Sequence, residues 1–122
     1  MTTMELLQKT RAAWPRLSTA PAEEKDRLLR AMADALEEHI PAILDANRQD
    51  MEDAAGHISD VMLDRLRLDE GRIRAMAEGI RAAAALPDHT GRVLTQLTRP
   101  NGMTIAKVQV PLGLVAIIYE SR

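Results

Sequence analysis

The feature that most constrains this chain is its last apolar run. Gly113-Leu114-Val115-Ala116-Ile117-Ile118-Tyr119 carries no charge and no alternation of polar with apolar residues. A run of this kind fits a strand buried on both faces, as inside a parallel sheet. Such a strand needs neighbours along both edges and cover over both faces. Only Glu120, Ser121 and Arg122 follow it. The sequence therefore reads as the first part of a larger α/β protein, cut before its active site.

Ahead of that run the period is two. Val93, Thr95 and Leu97 alternate with Leu94, Gln96 and Thr98, and Thr104, Ala106, Val108 and Val110 line one face of a return strand. Asn101-Gly102 lies between them, a pair that suits a type I′ hairpin turn because both central residues there need positive φ. Strands are expected near 91–99, 103–111 and 113–119.

Before Pro87 the period is helical, and helices are expected over 3–17, 21–39, 41–55, 60–66 and 70–85. The first has Met4, Leu7, Ala13 and Leu17 as inner positions, and Pro15 should kink or end it. Ser18 and Thr19 offer N-caps to the second, Pro21 suits its first turn, and Glu23 and Glu24 complement its dipole. Leu28, Leu29, Met32, Ala35 and Leu36 form its apolar stripe. Pro41 bends or breaks the path into the third helix, where Ile43, Leu44, Asn47, Met51 and Ala54 fall near one side and Gly56 is the natural C-cap. Ser59 caps a short helix bearing Met62, Leu63 and Leu66. Asp69 caps the last, with Ile73, Met76, Ala77, Ile80 and Ala83 at helical spacing. The order is helices, a hairpin, then the first strand of a doubly wound sheet.

Composition narrows the function classes. Aromatic residues make up 2% of the 122, so the core must come from Leu, Ile, Val, Met and Ala. A net charge of −2 gives no basic face for phosphate backbones, which argues against a nucleic-acid partner. The chain has no Cys, hence no disulfide, no Cys-based zinc site and no cysteine nucleophile of its own. No apolar run reaches membrane-spanning length, and the amino terminus lacks the pattern of a signal peptide. A cytoplasmic, membrane-free protein is expected.

The chemistry-bearing residues do not assemble by spacing. His39, His57 and His89 share no ligand spacing. Asp45, Asp50, Glu52 and Asp53 crowd one helix and read as a solvated face. Gly113 precedes a strand, so no glycine-rich phosphate loop follows one. The tail differs. Tyr119, Glu120, Ser121 and Arg122 stand at the carboxyl end of the expected strand, the edge where open α/β sheets bind ligands.

The segments Thr98-Arg99-Pro100-Asn101-Gly102, Val108 to Gly113 and Ile117-Ile118-Tyr119-Glu120-Ser121-Arg122 resemble the γ-glutamyl phosphate reductase family (glutamate-5-semialdehyde dehydrogenases) of the aldehyde dehydrogenase superfamily. Ile43 to Asn47 with Asp50, Met62 to Leu66, Ile73 to Gly79 and Leu86-Pro87-Asp88 agree in order and spacing. The resemblance covers nearly the whole chain, and the family enzyme is several-fold longer. It implies an NADPH-dependent reduction of L-glutamyl 5-phosphate to glutamate 5-semialdehyde in proline biosynthesis. A cysteine thiolate displaces phosphate, and hydride then reduces the thioester. The Arg of the family's Glu-Ser-Arg run is followed by Pro-Asn, the Asn serving as oxyanion donor. The Asn, the Cys and most nucleotide-binding loops are absent here, so the fragment itself is expected to be inactive.

The division implied is an N-terminal helical part of the cofactor-binding domain over 1–90, an oligomerisation-type hairpin over 91–111, and the first strand of the dinucleotide-binding sheet over 112–122. Tyr119, Glu120, Ser121 and Arg122 are the expected pocket edge, with no catalytic residue and no metal ligand in the chain. The planar fork of Arg122 suits a substrate carboxylate or phosphate. Homo-oligomers are expected through the hairpin or strand 113–119. The alternative is a non-catalytic helical protein-interaction module with a β-hairpin.

Overall fold

A computed structural model describes residues 2–118. Five helices precede one hairpin: α1 (Thr3–Thr19), α2 (Ala22–Glu38), α3 (Ile40–Ala54), α4 (Asp60–Leu66), α5 (Glu70–Ala84), β1 (Val93–Thr98) and β2 (Thr104–Val108). Two compact units result. One is built on Glu23–Leu86 and holds α2 to α5. The other takes Met1–Ala22 and Pro87–Ile117, and so holds α1 and the hairpin.

The helical unit closes on a small core of Ala33, Ile40, Ile73, Ala77 and Ala84. Each of its later starts is set by a local signal. Pro41 occupies the first turn of α3, where its missing N–H costs no hydrogen bond. The Ser59 hydroxyl accepts from Met62 N–H to start α4, and Asp69 accepts from Arg72 N–H at 2.7 Å to start α5. Gly56, at φ +78°, takes the left-handed position just past α3.

The inner faces differ from the expected ones by one residue. On α2, Ala33 is buried, Leu29 and Leu36 are half-buried, and Leu28, Met32 and Ala35 are exposed. On α5, Ala84 is buried while Ala83 and Met76 are exposed. Two apolar lines run side by side on each helix, both with helical spacing. Close helix approach selects the line carrying alanine, because a small side chain lets backbones come together.

In the other unit, α1 runs through Pro15 to Thr19, contrary to the expected break. A proline removes one rung of the ladder, and here the hydroxyls of Ser18 and Thr19 donate to Pro15 O at 2.9 and 3.2 Å. Those hydroxyls therefore finish α1 and do not cap α2. A capping box of Thr2 and Glu5 starts it. None of its residues is buried, so Met4, Leu7, Ala13 and Leu17 do not face a core.

The hairpin is antiparallel, with Leu97 opposite Ile105, Gln96 opposite Ala106 and Thr98 opposite Thr104, and an irregularity between Val93 and Thr95. Beyond the strand ends, Gln109 N–H donates to Arg92 O and Gly91 N–H to Gln109 O, both at 2.9 Å. The turn is not type I′, since Asn101 does not have positive φ. Gly102 N–H donates to Arg99 O, Arg99 N–H donates to Met103 O, and Gly102 alone is left-handed at φ +84°. That is a three-residue loop of the type I plus G1 bulge kind. Pro100 explains the choice, because its φ is fixed negative and suits the first corner of a type I turn.

The strand expected over 113–119 is not formed over 113–118, and Tyr119 lies outside the described residues. Residues 111–118 have no regular secondary structure. A strand exists only through its ladder, and among the described residues no edge is offered to this one.

Candidate functional site

Four features of the helical unit could position chemistry. The first is Asn47, 7% exposed in the middle of α3. Its side-chain N–H donates to Leu66 O at 2.9 Å, and its carbonyl accepts from Leu68 N–H at 2.7 Å. One amide thus clasps the α4–α5 connection at a point where two backbone groups would otherwise lack partners. The sequence signal was present, since a helix interior seldom places an asparagine in its apolar line.

The second lies at the α4–α5 corner. Arg72 donates to the carbonyls of Asp64 and Arg67, both at 2.6 Å, and pairs with the Asp64 carboxylate at 3.3 Å. It finishes the carbonyl end of α4, as a cation should. Beside it is an open cleft of ≈ 520 Å³, lined by Asp64, Arg65, Arg67, Leu68, Arg72, Ala75 and Met76.

The third is an ion network joining α2 to α5. Arg81 donates to Asp34 at 2.7 Å, to both oxygens of Glu37 at 3.1 and 2.9 Å, and to Glu78 at 2.7 Å. Arg74 pairs with Glu70 at 2.7 Å and reaches Glu37 at 3.9 Å. Hydrogen bonds from Arg81 hold the Glu37 carboxyl below the usual carboxylate range. The Glu37 bond likewise holds the proton more firmly on Arg81, and Glu70 does the same for Arg74. These are structural pairings, since no nucleophile or substrate-sized pocket accompanies them.

The fourth is an apolar groove of ≈ 400 Å³ walled by Met32, Ala35, Leu36, His39, Ile43 and Ile80. His39 turns its Nδ1 to Ala35 O at 2.8 Å. The acidic helix face behaves as expected. Asp45 pairs with Arg48, Asp53 accepts from Gln49, and all are exposed. Among the described residues no group of three or more His, Cys, Asp or Glu could hold a metal ion, and no helix is long and apolar enough to cross a membrane. Tyr119, Glu120, Ser121 and Arg122 lie outside the described residues, so the structure brings none of the expected pocket-edge residues together with another group. Arg72, Arg81 and Asn47 organise the unit. Only Asn47 had been placed on an inner face by spacing.

Known proteins share this sequence along almost its full length. γ-Glutamyl phosphate reductases of Neisseria meningitidis serogroup C (strain 053442), Streptococcus suis (strain 05ZYH33) and Brucella anthropi are 54%, 50% and 49% identical over 120, 121 and 119 residues. These alignments cover 98%, 99% and 97% of this chain. The crystal structure of γ-glutamyl phosphate reductase from Thermotoga maritima superposes with a TM-score of 0.85 at 35% identity, over 88% of this chain and 26% of that one. The chain matches the N-terminal part of γ-glutamyl phosphate reductase. It spans about 29% of the length of the Neisseria and Streptococcus enzymes and 28% of the Brucella one. No protein-family model matches it. The helices followed by an antiparallel hairpin are therefore the leading part of the reductase fold, and the clasp at Asn47 and the network at Arg81 are internal braces of that part.

Proposed function

We propose that this chain is the amino-terminal scaffold of an NADPH-dependent reductase that converts L-glutamyl 5-phosphate to L-glutamate 5-semialdehyde in proline biosynthesis, in the cytoplasm. The observation that carries the reading is 54% identity sustained over 98% of the chain to a reductase of that name. At such identity, helix boundaries, caps and buried positions are shared with the relative.

The chain contributes architecture. It has no Cys, so a thiol nucleophile must come from the rest of the enzyme. Nor do residues 2–118 fit NADPH by themselves. The four left-handed glycines, Gly56, Gly91, Gly102 and Gly113, stand singly in turns and connections, and none forms a glycine-rich turn opening a helix. Nicotinamide chemistry is accordingly assigned to residues outside the matched stretch. In the whole enzyme, residues 112–119 form the first strand of the dinucleotide-binding sheet. Tyr119, Glu120, Ser121 and Arg122 edge its pocket, with Arg122 oriented to a substrate carboxylate or phosphate. The hairpin, which exposes Leu97 and Ile105 side by side on one face, meets a second subunit.

A chimera tests this. The chain replaces the corresponding 120-residue stretch of the Neisseria enzyme and is expressed in a strain that lacks the reductase and requires proline. Growth without proline is expected. A chimera that accumulates as folded protein and fails to support growth would refute the proposal.

A further inference from the structure

We propose that residues 113–118 are a self-recognition segment whose partner is the same segment of a second copy of this chain, stacked as in-register β-strands. The inference does not depend on the reductase reading. It starts from charge. Between Lys107 and Glu120 the sequence is wholly uncharged, and Gly113-Leu114-Val115-Ala116-Ile117-Ile118 is apolar throughout. The side chains are accessible: Leu112 is 98% exposed, Val115 69%, Ile117 67% and Ile118 94%. The backbone is accessible as well. Among the described residues, 110–118 donate and accept no backbone hydrogen bond, the last ones upstream being those of Gln109. A six-residue stretch with β-branched side chains, no charge and an unpaired backbone is the unit from which cross-β ladders are built.

The sequence also says why a second copy is the partner. In-register stacking sets each side chain on its own copy, Val115 on Val115 and Ile117 on Ile117. Identical residues tolerate this only where none is charged, and this window meets that condition. Its limits are marked on both sides. Pro111 cannot donate to a ladder, and a stack of Glu120 carboxylates repels itself. The hairpin is a poorer seat. Its strands already bond to each other, and Lys107, opposite Thr95, puts a charge on the face that carries Leu97 and Ile105.

The test uses the full 122-residue chain, with Ile117→Lys in the segment and Leu97→Lys on the hairpin. Thioflavin T fluorescence, sedimentation velocity and fibre diffraction are measured on all three. The wild-type chain and the Leu97→Lys variant should assemble and give a meridional reflection near ~4.7–4.8 Å. The Ile117→Lys variant should remain dispersed with unchanged helical circular dichroism. A dispersed wild-type chain overturns the proposal. So do an Ile117→Lys variant that assembles like wild type, assembly blocked by Leu97→Lys in place of Ile117→Lys, and assemblies without the reflection.

Discussion

Replacing Asn47 should loosen the helical unit by an amount the geometry allows to be worked out. The side chain is almost fully buried and makes two hydrogen bonds, 2.9 Å to Leu66 O and 2.7 Å from Leu68 N–H. Each is worth about 0.5–1.5 kcal/mol net, and a backbone group left buried without a partner costs about 1–3 kcal/mol. Leu66 and Leu68 are half-buried, so water recovers part of the loss when the amide is removed. Asn47→Ala should therefore destabilise by about 2 kcal/mol. At a urea m-value of about 1 kcal/mol/M for a unit of this size, the midpoint falls by about 2 M. Asn47→Asp is the sharper probe. It keeps the acceptor for Leu68 N–H and places an oxygen against Leu66 O. A protonated Asp at this position can donate to Leu66 O and an ionised one cannot, so its folded-state pKa is raised. The stabilisation it retains is present at low pH and lost as pH rises through that raised value. Urea unfolding followed at 222 nm should show Asp gaining on Ala as pH falls. A midpoint for Asn47→Ala within about 0.5 M of wild type would refute the clasp, as would an Asp–Ala difference independent of pH.

Other outcomes follow from the same geometry. Arg72→Met should cost about 1–2 kcal/mol by stripping the carbonyl end of α4 of its donors, read as a lower urea midpoint, whereas Arg72→Lys should recover part of it. Gly102→Ala should destabilise the hairpin by about 1 kcal/mol, because φ there is +84°, and the Arg99 amide should then exchange faster with solvent. Glu37 is held below the usual carboxylate range by Arg81. Its contribution is therefore present above that range and disappears as pH falls through its lowered value. Melting curves should show wild type ahead of Glu37→Gln at neutral pH, with the gap closing on acidification.

Much of the fold was legible because its signals are local. Ser59 and Asp69 cap the helices they were expected to cap, and the change from helical to alternating period after Pro87 marks the hairpin. What the sequence left open depends on partners distant along the chain. Period alone could not choose Ala33 over Met32, or Ala84 over Ala83, because the choice is made by the helix packed opposite. Asn101-Gly102 suggested a type I′ turn, but Pro100 imposed a different one through its fixed φ. Pro15 looked like a stop, yet one missing rung does not end a helix that is otherwise intact. The run 113–118 was read as a strand from composition, and composition cannot supply an edge to pair with. The site fared differently. Its expected residues, Tyr119 to Arg122, were reached through family resemblance and not through spacing, since no constellation within the chain carries chemistry.

The most direct test of the account is a side-by-side assay of NADPH formation from NADP, glutamate 5-semialdehyde and phosphate. One sample is the purified 122-residue chain, and the other is the chimera carrying the remainder of the Neisseria reductase. The account predicts turnover by the chimera and none by the chain alone, which has no thiol to form a thioester. Turnover by the chain itself, or a folded chimera without any, would contradict it.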